Sequence, residues 1–306
     1  MPKTSKEIII DTHAFGFDGN GKGWTKTVDG ENYKFERLGW GDIPELEKVV
    51  DLQQRVWMMP DRDLVPSNLL AIADETGGEV IGAYGENGDM NGFLFALGAT
   101  SGKQVLHMVG VEKGLRYGGL GWNLYVLLAA TAVQKGVKNI EWTYDPLRGG
   151  NARLNLEKLG AKPYVFTVNK YGVVKSELYG ENPTDRFTVN WDLNSRLVHQ
   201  RLRQVNAGIY RPHGLESIQD ISVVVRPGEV QEQQTIAVEI PGDNDNLDLD
   251  EAIRWRMQFR EIMRATMTTK DGGLETEGNY QPIAFATGIE GMTRRSYYIL
   301  EREKQN

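Results

Sequence analysis

The segment richest in chemical content is Val109-Gly110-Val111-Glu112-Lys113-Gly114-Leu115-Arg116-Tyr117-Gly118-Gly119-Leu120-Gly121. An alternating apolar run ends at Val111, and a long apolar segment starts after Gly119. That pattern predicts a strand, a glycine-rich turn and a helix. Glycines let the backbone turn tightly and approach a ligand closely. The first N–H groups of a helix have no intrahelical partner, and with the helix dipole they form a site for an anion such as a pyrophosphate. Arg116 could pair with a phosphate or face solvent. The bland alternative is a plain tight connection. A Walker loop ends in Gly-Lys-Ser/Thr, whereas Gly121 is followed by Trp122-Asn123. A Rossmann fingerprint has a different glycine spacing near the start of its unit, and here three strands precede the turn.

Other side chains could move protons or bind charge. His107 lies four residues before Val111, on the same face of the predicted strand. A neutral imidazole there could accept a proton directly or through water; the alternative is a hydrogen-bonded core histidine. Tyr144 and Asp145 end another predicted strand. Tyr144 could act as an acid. Asp145 could bind a cationic amine or initiate the turn before Pro146. Arg186, next to Asp185, could hold a carboxylate bidentately or form a structural ion pair. Asp243, Asp245 and Asp248 suggest a calcium loop only superficially, because the sixth-position glycine and the later bidentate glutamate are missing. His13, His199 and His213 show no metal spacing, so no metal is expected.

These residues must be positioned by a fold of ordinary globular composition. The 306 residues are 40% hydrophobic and 25% charged, enough for a sizeable core in one or two domains. The net charge of -7 argues against a general nucleic-acid surface. The absence of cysteine excludes a disulfide framework, a thiolate nucleophile and Cys-ligated zinc. Ile8-Ile9-Ile10 is too short for a signal-peptide core, and the apolar run from Leu124 to Val133 is too short to span a bilayer. A cytoplasmic protein without membrane or nucleic-acid partners is the expectation.

Residues 11–31, rich in Gly, Asp and Asn, read as loop. A strand follows over 33–38. Asp42-Ile43-Pro44-Glu45 has the spacing of a helix start with a capping box. A second helical piece covers about 66–75. Strands are predicted at 79–84, 92–97 and 105–111, then a helix from Gly119 to about Lys135, closed by Gly136. A strand at 139–144, a helix at 151–159 and strands at 164–168 and 187–191 complete this part. After about Arg196 the pattern restarts with strands at 221–225 and 235–240. A helix capped by Asp248 runs to about Met267, and strands at 282–286 and 296–300 follow. Trp255, Met257, Phe259 and Met263 are expected to pack that helix.

The turn resembles the acyl-CoA-binding motif of the GNAT superfamily of N-acyltransferases, Arg-x-x-Gly-x-Gly after a strand ending in Val. Arg116, Gly119, Gly121 and Val111 occupy its fixed positions. The element order from Tyr33 to Val168, and Asn151 followed by Glu157-Lys158-Leu159-Gly160, resemble the same family. Trp142-Thr143-Tyr144-Asp145-Pro146-Leu147, Pro183-Thr184-Asp185-Arg186-Phe187, Ala237-Val238-Glu239-Ile240-Pro241 and Trp255-Arg256 resemble a subgroup that includes amino-acid N-acyl- and N-succinyltransferases. The resemblance implies an α/β (α+β) fold, a GNAT-like mixed central sheet flanked by helices with an additional C-terminal ββαββ unit. It divides the chain into an N-terminal extension (1–31), an acyl-CoA-binding domain (32–195) and a C-terminal α+β unit (196–306).

The resemblance also implies acetyl-CoA or another acyl-CoA as cosubstrate. Val111 would hold the pantetheine arm through its backbone. Gly118, Gly119 and Gly121 would cradle the pyrophosphate, and Asn151 would lie near the pantetheine or adenine. The implied binding set is Val109, Val111, Arg116, Tyr117, Gly118, Gly119, Leu120, Gly121 and Asn151. His107 would face the acceptor cleft and, with Tyr144, carry the proton transfers. Trp142, Asp145 and Arg186 would line the acceptor site for a small-molecule amine. The family's usual Tyr acid in the fourth helix falls at Leu156, a departure that leaves room for a non-catalytic CoA-binding module. Oligomeric state stays open, with a homodimer among the alternatives.

Overall fold

A computed structural model describes residues 10–99, 102–116, 118–172, 183–230, 233–244 and 246–303. Tyr117 and Asp245 therefore lie outside the described residues. The chain forms two compact units, one of residues 1–141 and 192–196, the other of 142–191 and 197–306. Among the described residues no helix is long and apolar enough to cross a membrane, and no group of three or more His, Asp or Glu could hold a metal ion.

The first unit holds β1 (Asp18–Asn20), β2 (Gly23–Val28), β3 (Glu31–Leu38), α1 (Ile43–Trp57), α2 (Ser67–Ala71), β4 (Glu79–Tyr84), β5 (Met90–Ala99), β6 (Lys103–Val111) and α3 (Leu120–Gln134), and β7 (Asn139–Tyr144) begins in it. Its strands run in the order β1-β2-β3-β4-β5-β6-β7. Neighbours are antiparallel up to β6, which pairs with β7 in parallel at Lys103–Val105 and Asn139–Glu141, so the sheet is mixed. Leu46, Val49, Leu52 and Val56 recur at helical spacing on α1 and pack with Val80, Phe93, Phe95 and Met108 of the sheet. Helix α3 is apolar on nearly every face and correspondingly buried, from Leu120 to Ala132.

Two local expectations fail here. Residues 18–28, read as loop, form β1 and β2. Asp29-Gly30 makes the two-residue turn into β3, with both residues at positive φ (52° and 85°). That conformation is the one Asp-Gly favours in hairpins, because it follows the right-handed strand twist. Asp42 does sit at the N-cap of α1, but no capping box forms. Its carboxylate instead accepts the Gly39 N–H at 3.1 Å, while Glu45 pairs with Lys48 at 3.0 Å.

The second unit holds the end of β7, α4 (Gly149–Ala152), a π-helical stretch (Arg153–Leu159), β8 (Lys162–Thr167), β9 (Arg186–Asp192), α5 (Arg196–Asn206), β10 (Ser222–Val224), β11 (Thr235–Ile240), α6 (Leu249–Thr266), β12 (Thr269–Asp271), β13 (Leu274–Thr276), β14 (Tyr280–Glu290) and β15 (Thr293–Arg302). The strand order is β7-β9-β8-β12-β13 in one sheet and β10-β11-β15-β14 in a separate four-stranded sheet. The four expected C-terminal strands make the small sheet. The hairpin β12–β13 joins β8 instead, at Thr269↔Phe166 and Lys270↔Thr167. Helix α5, absent from the sequence reading, buries Val198, His199 and Leu202. Asp248 caps α6 as expected, accepting the Glu251 N–H at 2.8 Å.

Candidate active site

The glycine turn lies wholly in the first unit. Gly119 is the N-cap of α3 with φ 96°, a left-handed conformation that disfavours any side chain. Among the described residues no side chain caps this helix, and its first turn holds no acidic residue. The N-terminal N–H groups and the positive end of the dipole are thus left to a ligand or to water. Gly121 lies inside the helix, and a Cβ there would meet only Val111 Cγ2, at 3.7 Å. A Cβ on Gly118 would come within 3.3 Å of the Asp29 carboxylate. Arg116 is half-buried and donates from Nη2 to the Val56 carbonyl at 3.3 Å. It thereby satisfies an end carbonyl of α1, the favourable place for a cation on a helix.

Two residues that the sequence reading passed over reach this turn. Lys26 of β2, half-buried, donates from Nζ to Asn123 Oδ1 at 2.8 Å and to the Phe15 carbonyl at 2.7 Å. Asn123, buried in the first turn of α3, donates from Nδ2 to the Gly119 carbonyl at 3.0 Å. The Lys26 ammonium also lies 4.6 Å from the Phe17 ring centroid and 5.6 Å from that of Trp122. Burial holds its pKa below the ordinary lysine value. The usable signal was Trp24-Thr25-Lys26-Thr27-Val28 before Asp29-Gly30, a β-rich run ahead of a hairpin turn.

Along β6 the side chains alternate, with Leu106, Met108 and Gly110 buried and His107, Val109 and Val111 on the more open face. His107 is exposed, so it is not a core histidine. Phe95 pairs with Met108 and Ala96 with Leu106, which leaves His107 as the extra residue of a β-bulge. Bulges re-aim a side chain and are common beside functional sites. The His107 ring meets Phe95 edge to face at 5.7 Å. Desolvation by the surrounding protein holds its pKa below the usual imidazole value, which favours the neutral, proton-accepting form. Gly110 is required by packing, since a Cβ would lie 2.5 Å from the Phe93 ring and 3.2 Å from Trp57.

The remaining candidates belong to the second unit, where most are engaged in its interior. Trp142 is buried, donates from Nε1 to Asn155 Oδ1 at 2.9 Å and meets Trp191 edge to face. Tyr144 is buried against Phe187, with its hydroxyl 3.4 Å from that of Tyr298. Burial drives its pKa far above the ordinary tyrosine value. Asn151 is half-buried, and its carbonyl accepts from Asn155 Nδ2 at 2.8 Å. Leu156 is buried.

Asp145 is buried and held bidentately by Arg256 at 2.8 and 3.1 Å, with the Leu147 N–H at 3.0 Å. Arg186 lies 3.9 Å from the same carboxylate, donates to the Asp185 carbonyl at 2.8 Å and has the Tyr171 ring 5.5 Å away. Arg260 holds Asp185 bidentately at 2.8 and 2.9 Å. Asp145 thus takes the turn role, whereas Arg186 lies in ion-pair range of Asp145 and not, as expected, of the Asp185 carboxylate, which Arg260 holds. On α6 the buried face is Arg256, Phe259, Arg260 and Met263, whereas Met257 is exposed. Sequence reading had no sign of this, since arginines on a helix ordinarily face water.

Burial alone would raise the Asp145 carboxyl pKa, but the charge and hydrogen bonds of Arg256, with the charge of Arg186, hold it below the usual range. Its contribution to stability is therefore present above the unfolded carboxylate value of about 3.9 and is lost as pH falls through the lower folded value. Removing one member of a buried pair strands the other charge, at about 3–5 kcal/mol. Asp145→Ala is expected to lose stability on that scale in urea unfolding. A change below about 1 kcal/mol, as for exposed pairs, would show that the cluster is solvated.

No protein-family model matches the chain, and no curated protein matches it in sequence. Among solved structures, it is similar over part of its length to several acetyltransferases. A ribosomal-protein alanine N-acetyltransferase from Escherichia coli is 17% identical, with 53% of this chain and 94% of that one covered and a TM-score of 0.42. An N-acetyltransferase from Staphylococcus aureus is 14% identical, with 53% and 99% covered and a TM-score of 0.43. An IAA acetyltransferase from Bacillus cereus is 14% identical, with 52% and 99% covered and a TM-score of 0.41.

Proposed function

We propose that the protein is an acyl-CoA-dependent N-acyltransferase that moves an acetyl or succinyl group to the amine of a small molecule, an amino acid, by direct attack on the thioester. The observation that carries this reading is the N-terminus of α3: uncapped, led by left-handed Gly119, free of acid in its first turn and flanked by Arg116. Such an end suits a pyrophosphate. The Asp29 carboxylate beside Gly118 is of unfavourable sign there.

In this reading Val109 and Val111 present the strand edge to the pantetheine arm. His107 takes the proton that the amine nitrogen sheds as its bond to the acyl carbon forms. The carbon–sulfur bond breaks, and the departing thiolate receives a proton from the same imidazole or from water. The bulge at His107 and the desolvation that keeps its ring neutral support the assignment. Trp142 and Tyr144 serve as framework, consistent with their burial and internal partners.

Arg186 is the residue read as meeting an acceptor carboxylate, a role that competes with its contacts to Asp145 and the Asp185 carbonyl. A thiol-release assay comparing amino acids with their methyl esters and decarboxylated amines tests the acceptor. Only the free amino acids are expected to react. Equal rates for esters and plain amines would rule out carboxylate recognition and leave Arg186 a purely structural role.

A second reading, a CoA-binding module without catalysis, is favoured by Leu156 at the family's usual tyrosine position and by the burial of Tyr144. It predicts CoA binding with no turnover for any amine.

A further inference from the structure

Lys26 is oddly placed for a residue with no ligand to serve. Its ammonium bonds a side chain in the first turn of α3, the positive end of the helix dipole, where a cation is unfavourable. Both hydrogen-bond partners of Nζ are neutral oxygens, Phe15 O and Asn123 Oδ1. With Arg116 and the uncapped N–H groups, the site gathers positive charge, with the Asp29 carboxylate beside Gly118 as a counter-charge supplied from outside the first turn of α3.

The geometry gives the lysine a specific task. Trp24, Lys26 and Val28 alternate onto one face of β2. Val28 Cγ1 lies 3.7 Å from where a Gly119 Cβ would stand, and Lys26 reaches Asn123 in the first turn of α3. Gly119 has no side chain to restrict its peptide plane. Its carbonyl nevertheless accepts twice from Asn123, from the backbone N–H at 3.1 Å and from Nδ2 at 3.0 Å. A peptide unit is planar and trans, so the Gly119 carbonyl and the Leu120 N–H point in opposite directions. Pinning the carbonyl into the helix therefore aims the N–H out of its end.

We propose that Lys26 is a positioning residue of the cosubstrate turn: it orients Asn123, which pins the Gly119 carbonyl and so presents the Leu120 N–H to the cosubstrate's pyrophosphate. The inference rests on the reading of this turn as the acyl-CoA site. It makes β2, which read as loop, a working part of that site.

The test uses the full chain with CoA as the calorimetric probe. Lys26→Met keeps the stem against Phe17 and Trp122 and removes the charge and its hydrogen bonds. Asn123→Ala breaks the same relay from the helix side. Each is expected to raise the CoA dissociation constant about tenfold, on the scale of one lost charge-assisted hydrogen bond. In turnover, KM for acyl-CoA is expected to rise with kcat little changed, and Lys26→Arg to recover part of the affinity. The double variant should bind no more weakly than the worse single one, since both cut one chain of contacts. Wild-type affinity in either folded variant, or fully additive effects in the double, would overturn the proposal. Wild type that fails to bind CoA is a different result: it removes the cosubstrate site and the inference with it.

Discussion

Gly121→Glu is expected to abolish CoA binding while leaving the fold as stable as before, or more so. Gly121 is the second residue of α3, and a Cβ there makes only an ordinary contact with Val111. Replacing a helical glycine removes a propensity penalty of about 0.5–1 kcal/mol. A carboxylate in the first turn adds about 0.3–1 kcal/mol through the dipole. The same carboxylate occupies the region assigned to the pyrophosphate and repels it. CoA at about 100 times its dissociation constant should stabilise the wild type by roughly 2.7 kcal/mol and the variant not at all. Thermal unfolding with and without CoA reads both effects at once. An undiminished CoA shift in the variant would take the cosubstrate away from this turn. Gly119 is the poorer probe, because its left-handed φ strains any replacement whatever the ligand does.

His107→Ala is expected to lower turnover by ~10²–10⁴-fold with CoA affinity nearly intact. The exposed ring meets the buried Phe95 edge to face, so thermal unfolding of the alanine variant is measured alongside turnover to separate a lost base from a lost fold. The pH profile supplies an independent check. A base must be neutral to accept a proton, and desolvation holds the His107 pKa below its ordinary value of about 6.5. Activity should therefore persist to lower pH than an ordinary histidine allows, then fall as pH drops through the depressed value. That acid limb should vanish from the residual activity of the alanine variant. Unchanged turnover would remove His107 from the mechanism.

The parts of this account that were legible in the sequence share one property: their signals are local. The strand into Val111, the glycines and the apolar run of α3 announce a strand, a turn and a buried helix by residue type alone, and Asp248 announces its helix by spacing. Helix α5 was equally local, with Leu197, Val198, Leu202 and Val205 at helical spacing, but its many polar residues hid the pattern. For β2 the glycines and aspartates on either side outweighed the alternation of Trp24, Lys26 and Val28, although Asp29-Gly30 is itself a hairpin signal. The contacts of the site were less accessible for a different reason. Lys26 meets Asn123 across 97 residues, and Arg256 meets Asp145 across 111. No periodicity encodes such pairs, and a charged side chain reads as solvated until its partner is seen. The π-helical stretch at Arg153–Leu159 left no compositional trace either.

The most direct test of the central claim is turnover of the wild-type protein with acetyl-CoA or succinyl-CoA and a panel of free amino acids, following free thiol and the acylated product by mass in the same reaction. Thiol release is expected to be matched one for one by an N-acyl amino acid and to saturate in both substrates. CoA that binds without any amine-dependent thiol release would contradict the enzymatic reading and leave the non-catalytic one. No binding of CoA at all would contradict both.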